Sequence, residues 1–546
     1  MPTAARPSAL RSLTACLGLL LLLPTLNAQL EVAGVFADHM VVQAGKPLPV
    51  WGQAAPRARV SVRLGDTQRE ARAGATGRWG LELPARAAGG PFQLAVTSGD
   101  ESLRVQDILV GEVWIAAGGA NMAFPVRYST HAEAVVSSAH RPRVRFASVP
   151  AMGRTAESRE LQLEWAACTP SNTTEVSAVA YAFACRLQDQ LGVPVGIVQA
   201  TFSFSRAAAW IPRSGLLGDP ALHGVLARHE AAVAEHRAAL APTLDDFEAW
   251  IAAARVAFER GDELPEVPAV PRHPLSAADP STGIYDDPTG LFNGMIAPLA
   301  PFAVRGVIWH QGEQDIGTGA FYATLQRALV QSWRDAWHDH ALPWLSVQLS
   351  PYRYGENRPT EKPEHNLLVT RLPELWESQS RLSELPATGL IVTTDLGDAS
   401  DLFMPEKSTV GRRLAAWALA RTYGLPDIPH AFPRCAELTR GGLVDALTGD
   451  PARAESVSSV GSLVVRFADG TELRSIDGQA LRWFEVAGAD GHFAHARARA
   501  EGDRVRVWHD DLAQPVSVRY GWHQEAQGGL VNAQGLPAMP FRASLP

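Results

Sequence analysis

The stretch GEVWIAAGGANMAFPV, Gly111 to Val126, decides how this chain is read. An apolar run from Val113 to Ala117 ends in two glycines and passes directly into residues suited to a helix. A strand, a tight glycine turn and a helix, in that order, present one residue at the carboxyl edge of a sheet, where α/β proteins place their chemistry. Here that residue is Ala120, whose methyl group can neither attack nor donate.

Working outward from the turn, apolar strands alternate with segments of helical spacing. NTTEVSAVAYAFACRLQDQLG reads as a helix opened by an Asn172/Glu175 capping pair, and the strand VPVGIVQATF follows it. Next come the strand FAVRGVIWHQG, a helix with Phe321, Leu325, Leu329 and Trp333 in register, and the strand LPWLSVQLS. TGLIVTTDLGD and the helix VGRRLAAWALARTYG close the series. This alternation predicts an α/β domain over 106–430, a parallel sheet with helices on both faces. An Ala-rich, then Pro-rich segment over 215–288 reads as a helical insertion in it. Residues 29–105 are short strands punctuated by Gly, Pro and Asp, which predicts a β-sandwich, and 431–546 predicts a C-terminal β-rich region.

Residues 1–28 carry Arg6 and Arg11 ahead of an apolar run from Leu13 to Leu23, then Pro24 and small residues. That pattern predicts a signal peptide cleaved after Ala28, hence a periplasmic or secreted protein. The run falls short of the roughly 20 apolar residues of a membrane anchor, so no anchor is expected. Lys and Arg number 49 against 57 Asp and Glu, and no basic block is interleaved with aromatics, which speaks against a nucleic-acid partner. Cys168, Cys185 and Cys435 would remain after cleavage, enough for one disulfide at most, without the spacing of a zinc site. On a helix His229 and His236 share a face and His223 lies off it, a packing pattern, so no metal or other cofactor is expected.

Several long segments together resemble the sialate O-acetylesterase family of carbohydrate esterases, in the SGNH hydrolase superfamily. They are MVVQAGKPLPVWG, LVGEVWIAAGGANM, AVAYAFACRLQDQLGVPVGIVQ, LFNGMIAPLAPFAVRGVIWHQGEQD, VTTDLGD, VGRRLAAWALARTYG and GLVNAQGLPAMPFR. The resemblance implies an SGNH, flavodoxin-like sheet and removal of acetyl groups from sugar hydroxyls. In the family a serine in GQSNM attacks, a histidine in a DIHP-like segment takes its proton, and donors including a glycine of a WGGT-like turn hold the oxyanion. Carried over by position, GQSNM falls on Gly118-Gly119-Ala120-Asn121-Met122, so Ala120 stands at the nucleophile. The DIHP-like segment falls on Asp401-Leu402-Phe403-Met404 and puts Phe403 at the base. The WGGT-like turn falls on Phe202-Ser203-Phe204-Ser205. Three departures mark a degenerate triad, and loss of a serine triad costs about six orders of magnitude in rate.

What survives could still bind or cleave a carbohydrate. The block WHQGEQD is expected to turn Glu313, Gln311 and Trp309 toward the cleft, with His310 on the opposite side. Asp398 or Asp401 is expected near the old triad corner, and Asp395 in a self-bonded turn. Asn121, Ser203, Phe204 and Asp287 complete the candidate binding residues, Asp286 being a second rim candidate. Glu313 with Asp398 or Asp401 would make a glycoside hydrolase if the carboxyls lay about 5 to 9 Å apart. The other readings are a glycan binder without turnover and an esterase with relocated machinery, for instance on Ser203 or Ser205.

Overall fold

The computed structural model describes residues 29–271, 285–354, 367–448, 450–453 and 459–546; the signal-peptide expectation for 1–28 lies outside them. Eight strands open the described chain: β1 (Glu31–Val32), β2 (Val41–Gln43), β3 (Leu48–Gln53), β4 (Arg59–Leu64), β5 (Thr67–Arg72), β6 (Arg78–Leu83), β7 (Gly89–Ser98) and β8 (Glu101–Gly118). β1, β3 and β6 form one antiparallel layer. β5, β4 and β7 form the other, which joins the first half of β8 through β7.

β8 does not stop at the sandwich. Its second half is the centre of the α/β sheet, pairing in parallel with β11 (Val195–Thr201) on one side and β12 (Gly306–His310) on the other. Outward from β11 lie β9 (Arg141–Ser148) and the antiparallel edge β10 (Trp165–Cys168). Beyond β12 lie β13 (Trp344–Val347) and β14 (Thr388–Ile391), both parallel. The expected boundary between residues 105 and 106 therefore falls inside one continuous strand.

From Ile108 on, β8 is buried on both sides, as a central parallel strand with both faces covered must be. Val113, Ile115 and Ala117 face a core with Trp210, Trp309, Trp333 and Trp344. Trp114 and Ala116 face the helices Ala178–Leu191 and Lys407–Trp417. The first of these helices starts later than its sequence suggested: Ser177 caps it by accepting from the Ala180 N–H. Asn172 instead closes a capping box with Thr169 on a separate short helix, Pro170–Thr173. Among the described residues of the expected insertion the main element is one long helix, His223–Arg260, of 38 residues.

The C-terminal region pairs two four-stranded sheets around Leu463, Val465, Phe484, Val486, Val505 and Val518. It is tied to the α/β layer by Tyr352 N–H to Gln524 O (3.0 Å) and Arg542 to Glu377 (2.9 Å). Cys168, Cys185 and Cys435 are free thiols. No helix among the described residues is long and apolar enough to cross a membrane.

The exit of β8 is the tightest point. Gly118 has φ 135°, and a Cβ there would collide with the His310 carbonyl. Gly118→Ala is expected to destabilise the fold by about 3 kcal/mol or more, combining strain with overpacking. Urea unfolding checks this; an unchanged midpoint would mean that the turn can relax.

Candidate functional site

Three parallel strands end together at this turn. Gly119 N–H donates to His310 O at 2.9 Å, and Phe202 N–H donates to Gly118 O at 2.9 Å. The turn after β8, the turn after β11 and the loop after β12 thus meet at a narrow pocket with about 10 Å³ of free space, on the order of one water molecule. Ala120, Asn121 and Glu313 line it together with Phe204 and Ser205, and Leu402 and Phe403 close it from the loop after β14. The positions matched to serine and base, Ala120 and Phe403, therefore share one pocket.

Beneath Ala120 runs a polar chain. Lys407 Nζ donates to Asn121 Oδ1 at 2.5 Å, and Asn121 Nδ2 donates to Glu313 Oε1 at 2.6 Å and to Leu402 O at 3.2 Å. The second Glu313 oxygen accepts from Gly312 N–H at 3.1 Å. Because an ammonium can only donate, Lys407 fixes which way the Asn121 amide points, and the amide N–H groups must face Glu313. Lys407 is wholly buried, with its Nζ 5.2 Å from the centre of the Phe124 ring. Burial pulls its amine down to about 7, against the opposing attraction of Glu313 and Asp401. Behind it, burial and the Lys407 charge hold the buried His310 imidazole well below its usual range.

The sequence-predicted residues divide. Asn121, Glu313 and Phe204 line the pocket as expected. Trp309 does not: it is 1% exposed, packed 5.5 Å from Trp210 and 5.7 Å from Trp344, because strand alternation turns it into the core. Gln311 is also buried; its Nε2 donates to Ser205 O and Asp315 Oδ2, and its Oε1 accepts from Tyr322, so it braces the pocket wall from behind. Asp315, which also receives the Ala207 N–H, is raised by burial to about 6. Ser203 is exposed but is not among the lining residues.

Asp287 is buried away from the pocket. It accepts from the Tyr285 hydroxyl and lies 3.5 Å from His229 of the long helix; burial raises it to about 7. Asp286 pairs with Arg206. His229 and His236 both face inward, and no cluster of His, Cys, Asp or Glu able to hold a metal occurs among the described residues.

Neither candidate aspartate lines the pocket. Asp398 is exposed and accepts from the N–H and hydroxyl of Ser400, bonds that hold its carboxyl below the usual range. Asp401 accepts from Phe403 N–H at 2.8 Å and so shapes the loop that carries the phenyl ring. Asp395 is not self-bonded as expected but forms a buried pair with Arg413 at 2.5 Å. Lys407 was missed, although a signal existed: it shares the buried helix face of Val410, Gly411 and Leu414, and a charge on an apolar stripe calls for a partner.

With this geometry in view, relatives can be compared. The class is that of carbohydrate esterases. A carbohydrate acetylesterase from Xanthomonas citri is 32% identical, covering 94% of this chain and 99% of its own, and its crystal structure superposes with a TM-score of 0.75. Sialate O-acetylesterases are also similar: the Mus musculus protein is 26% identical over 93% of this chain and 94% of its own. The Rattus norvegicus protein is 26% identical over 73% and 74%. No family model matches the chain. The chain belongs to the sialate O-acetylesterase family of carbohydrate esterases.

The buried lysine yields a pH test. Its amine is depressed in the fold to about 7 but free to titrate at its ordinary value when unfolded. Between those values the unfolded chain binds more protons, so this residue's contribution to stability rises with pH from about 7 upward and is least below 7. Lys407→Met, which cannot titrate, should remove that rise. Denaturant midpoints of both proteins from pH 6 to 10 check it; parallel curves would show that Lys407 is not depressed.

Proposed function

We propose that this chain is an exported, glycan-binding member of its family that has given up serine-based ester hydrolysis. The observation that carries the reading is the meeting of Ala120 and Phe403, the positions matched to the serine and its base, in one pocket. An alcohol nucleophile needs a base, and a methyl and a phenyl group supply neither. Export rests on the pattern of residues 1–28 alone.

Relocated machinery finds little support. The Ser205 hydroxyl is buried, donates to Phe202 O at 2.8 Å and accepts from Trp210 Nε1 at 3.0 Å. No histidine is among the described lining residues. A carboxylate-based glycosidase needs two carboxyls facing the substrate, and Glu313 is the one carboxyl among those lining residues.

The test is to incubate the purified protein with acetylated and unacetylated oligosaccharides, assaying acetate and reducing ends, and to probe a glycan array in parallel. Glycan retention with neither product is the expected result. Acetate release by the unmodified protein would sink the reading, and so would an array without binding. Ala120→Ser alone should leave acetate release at background, because Phe403 cannot act as its base; substantial recovery would show that another base is in reach.

A further inference from the structure

Among the described residues, the long helix His223–Arg260 joins the main hydrophobic core only at its start, through Val225 and Leu226. Farther along, the buried His236 and Thr243 mark its inward face. Trp250 continues that face, and its indole N–H donates to Pro265 O at 2.9 Å, which fastens the chain returning from the helix to that side. After Pro242 a line of large apolar side chains stands clear of it: Leu244 is 62% exposed, Ile251 44% and Phe258 79%.

Each of the three follows the last by two helical turns, so they share one stripe, with the half-buried Phe247 and Ala254 along its inner margin. Leu244, Phe247, Ile251, Ala254 and Phe258 alternate steps of three and four residues, the spacing of a helix that packs lengthwise on another helix.

Charge says which helix. Glu248 and Arg255 are exposed on the outer margin of the stripe. They lie two turns apart, too far to pair with each other, and neither has an ion-pair partner among the described residues. A second copy of the same helix, laid antiparallel with Ile251 against its own counterpart, sets Leu244 opposite Phe258 and Glu248 opposite Arg255. A two-fold axis makes each of these contacts twice, so the pattern is complementary to itself. In a parallel pair the two outer margins fall on opposite sides, and Glu248 and Arg255 would face Thr243, Trp250 or Ala257 in place of an opposite charge.

We propose that two copies of this chain associate through this half of the long helix, as an antiparallel pair with the two-fold axis at Ile251. The inference is independent of what the pocket binds. The contact is a single helix pair, at the low end of interface sizes, so a dissociation constant on the order of 10 µM is expected.

Sedimentation velocity of the purified protein across roughly 1 to 200 µM brackets that affinity and tests the proposal. A reversible monomer–dimer equilibrium is the expected result. Ile251→Asp sets two carboxylates against each other at the axis; it should weaken the dimer at least about tenfold and leave Tm unchanged. Glu248→Arg and Arg255→Glu should each weaken it by like-charge repulsion. An equimolar mixture of those two variants should dimerise again, because the arginines of one copy then face the glutamates of the other. Monomer at every concentration, a dimer indifferent to Ile251→Asp, or a mixture that associates no better than either single variant would each overturn the proposal. So would a monomer whose Tm falls on Ile251→Asp, since the chain's own residues would then be covering the stripe.

Discussion

The structure depends on one uninterrupted strand. β8 gives its first half to the sandwich and its second half to the centre of the α/β sheet, with no linker between them. From Val113 to Ala117 its residues alternate between two separate cores, so a one-residue slip in its register would move each of those side chains to the wrong face. The pocket inherits this rigidity because it opens at the strand's last residue. Ala120 is thereby held where a nucleophile would stand, whether or not one is present.

The polar chain from Lys407 through Asn121 to Glu313 holds the pocket wall by its own hydrogen bonds. None of the three depends on a hydroxyl at position 120 or an imidazole at position 403. Removing Lys407 would orphan a buried amide oxygen, and removing Glu313 would leave the Lys407 charge with less compensation. The groups that shape this pocket are thus distinct from the side chains at positions 120 and 403.

Much of the fold was legible because periodicity and punctuation report burial directly. The alternation around Val113–Ala117, Val195–Thr201 and Gly306–His310 identified the central strands. What escaped was anything set by partners distant in sequence. The sandwich boundary was placed where composition changes, although the backbone runs on because both sheets need the same strand. Asn172 reads as the cap of the helix Ala178–Leu191, yet Ser177 caps that helix and Asn172 joins Thr169 in the capping box of a separate short one. At the site, Asn121, Glu313 and Phe204 were found from motif positions. Trp309 and Gln311 were misplaced because a motif match says nothing of which way a side chain turns. Lys407 went unnoticed because its partner lies 286 residues away.

The shared strand also dictates an order of assembly. Its first half pairs with the adjacent β7 in a local hairpin, a contact that closes early. Its second half has nothing to pair with until β11 and β12 arrive, the latter nearly two hundred residues downstream. Closing a loop of that length costs roughly 4 to 5 kcal/mol of chain entropy before any contact rewards it. Until then both edges of an apolar segment stand open, the condition under which strands recruit the wrong neighbour. On this ground the sandwich is the seed of the molecule and the pocket its last piece, so a folding defect would disorder the pocket before it removed the β-structure at the amino end.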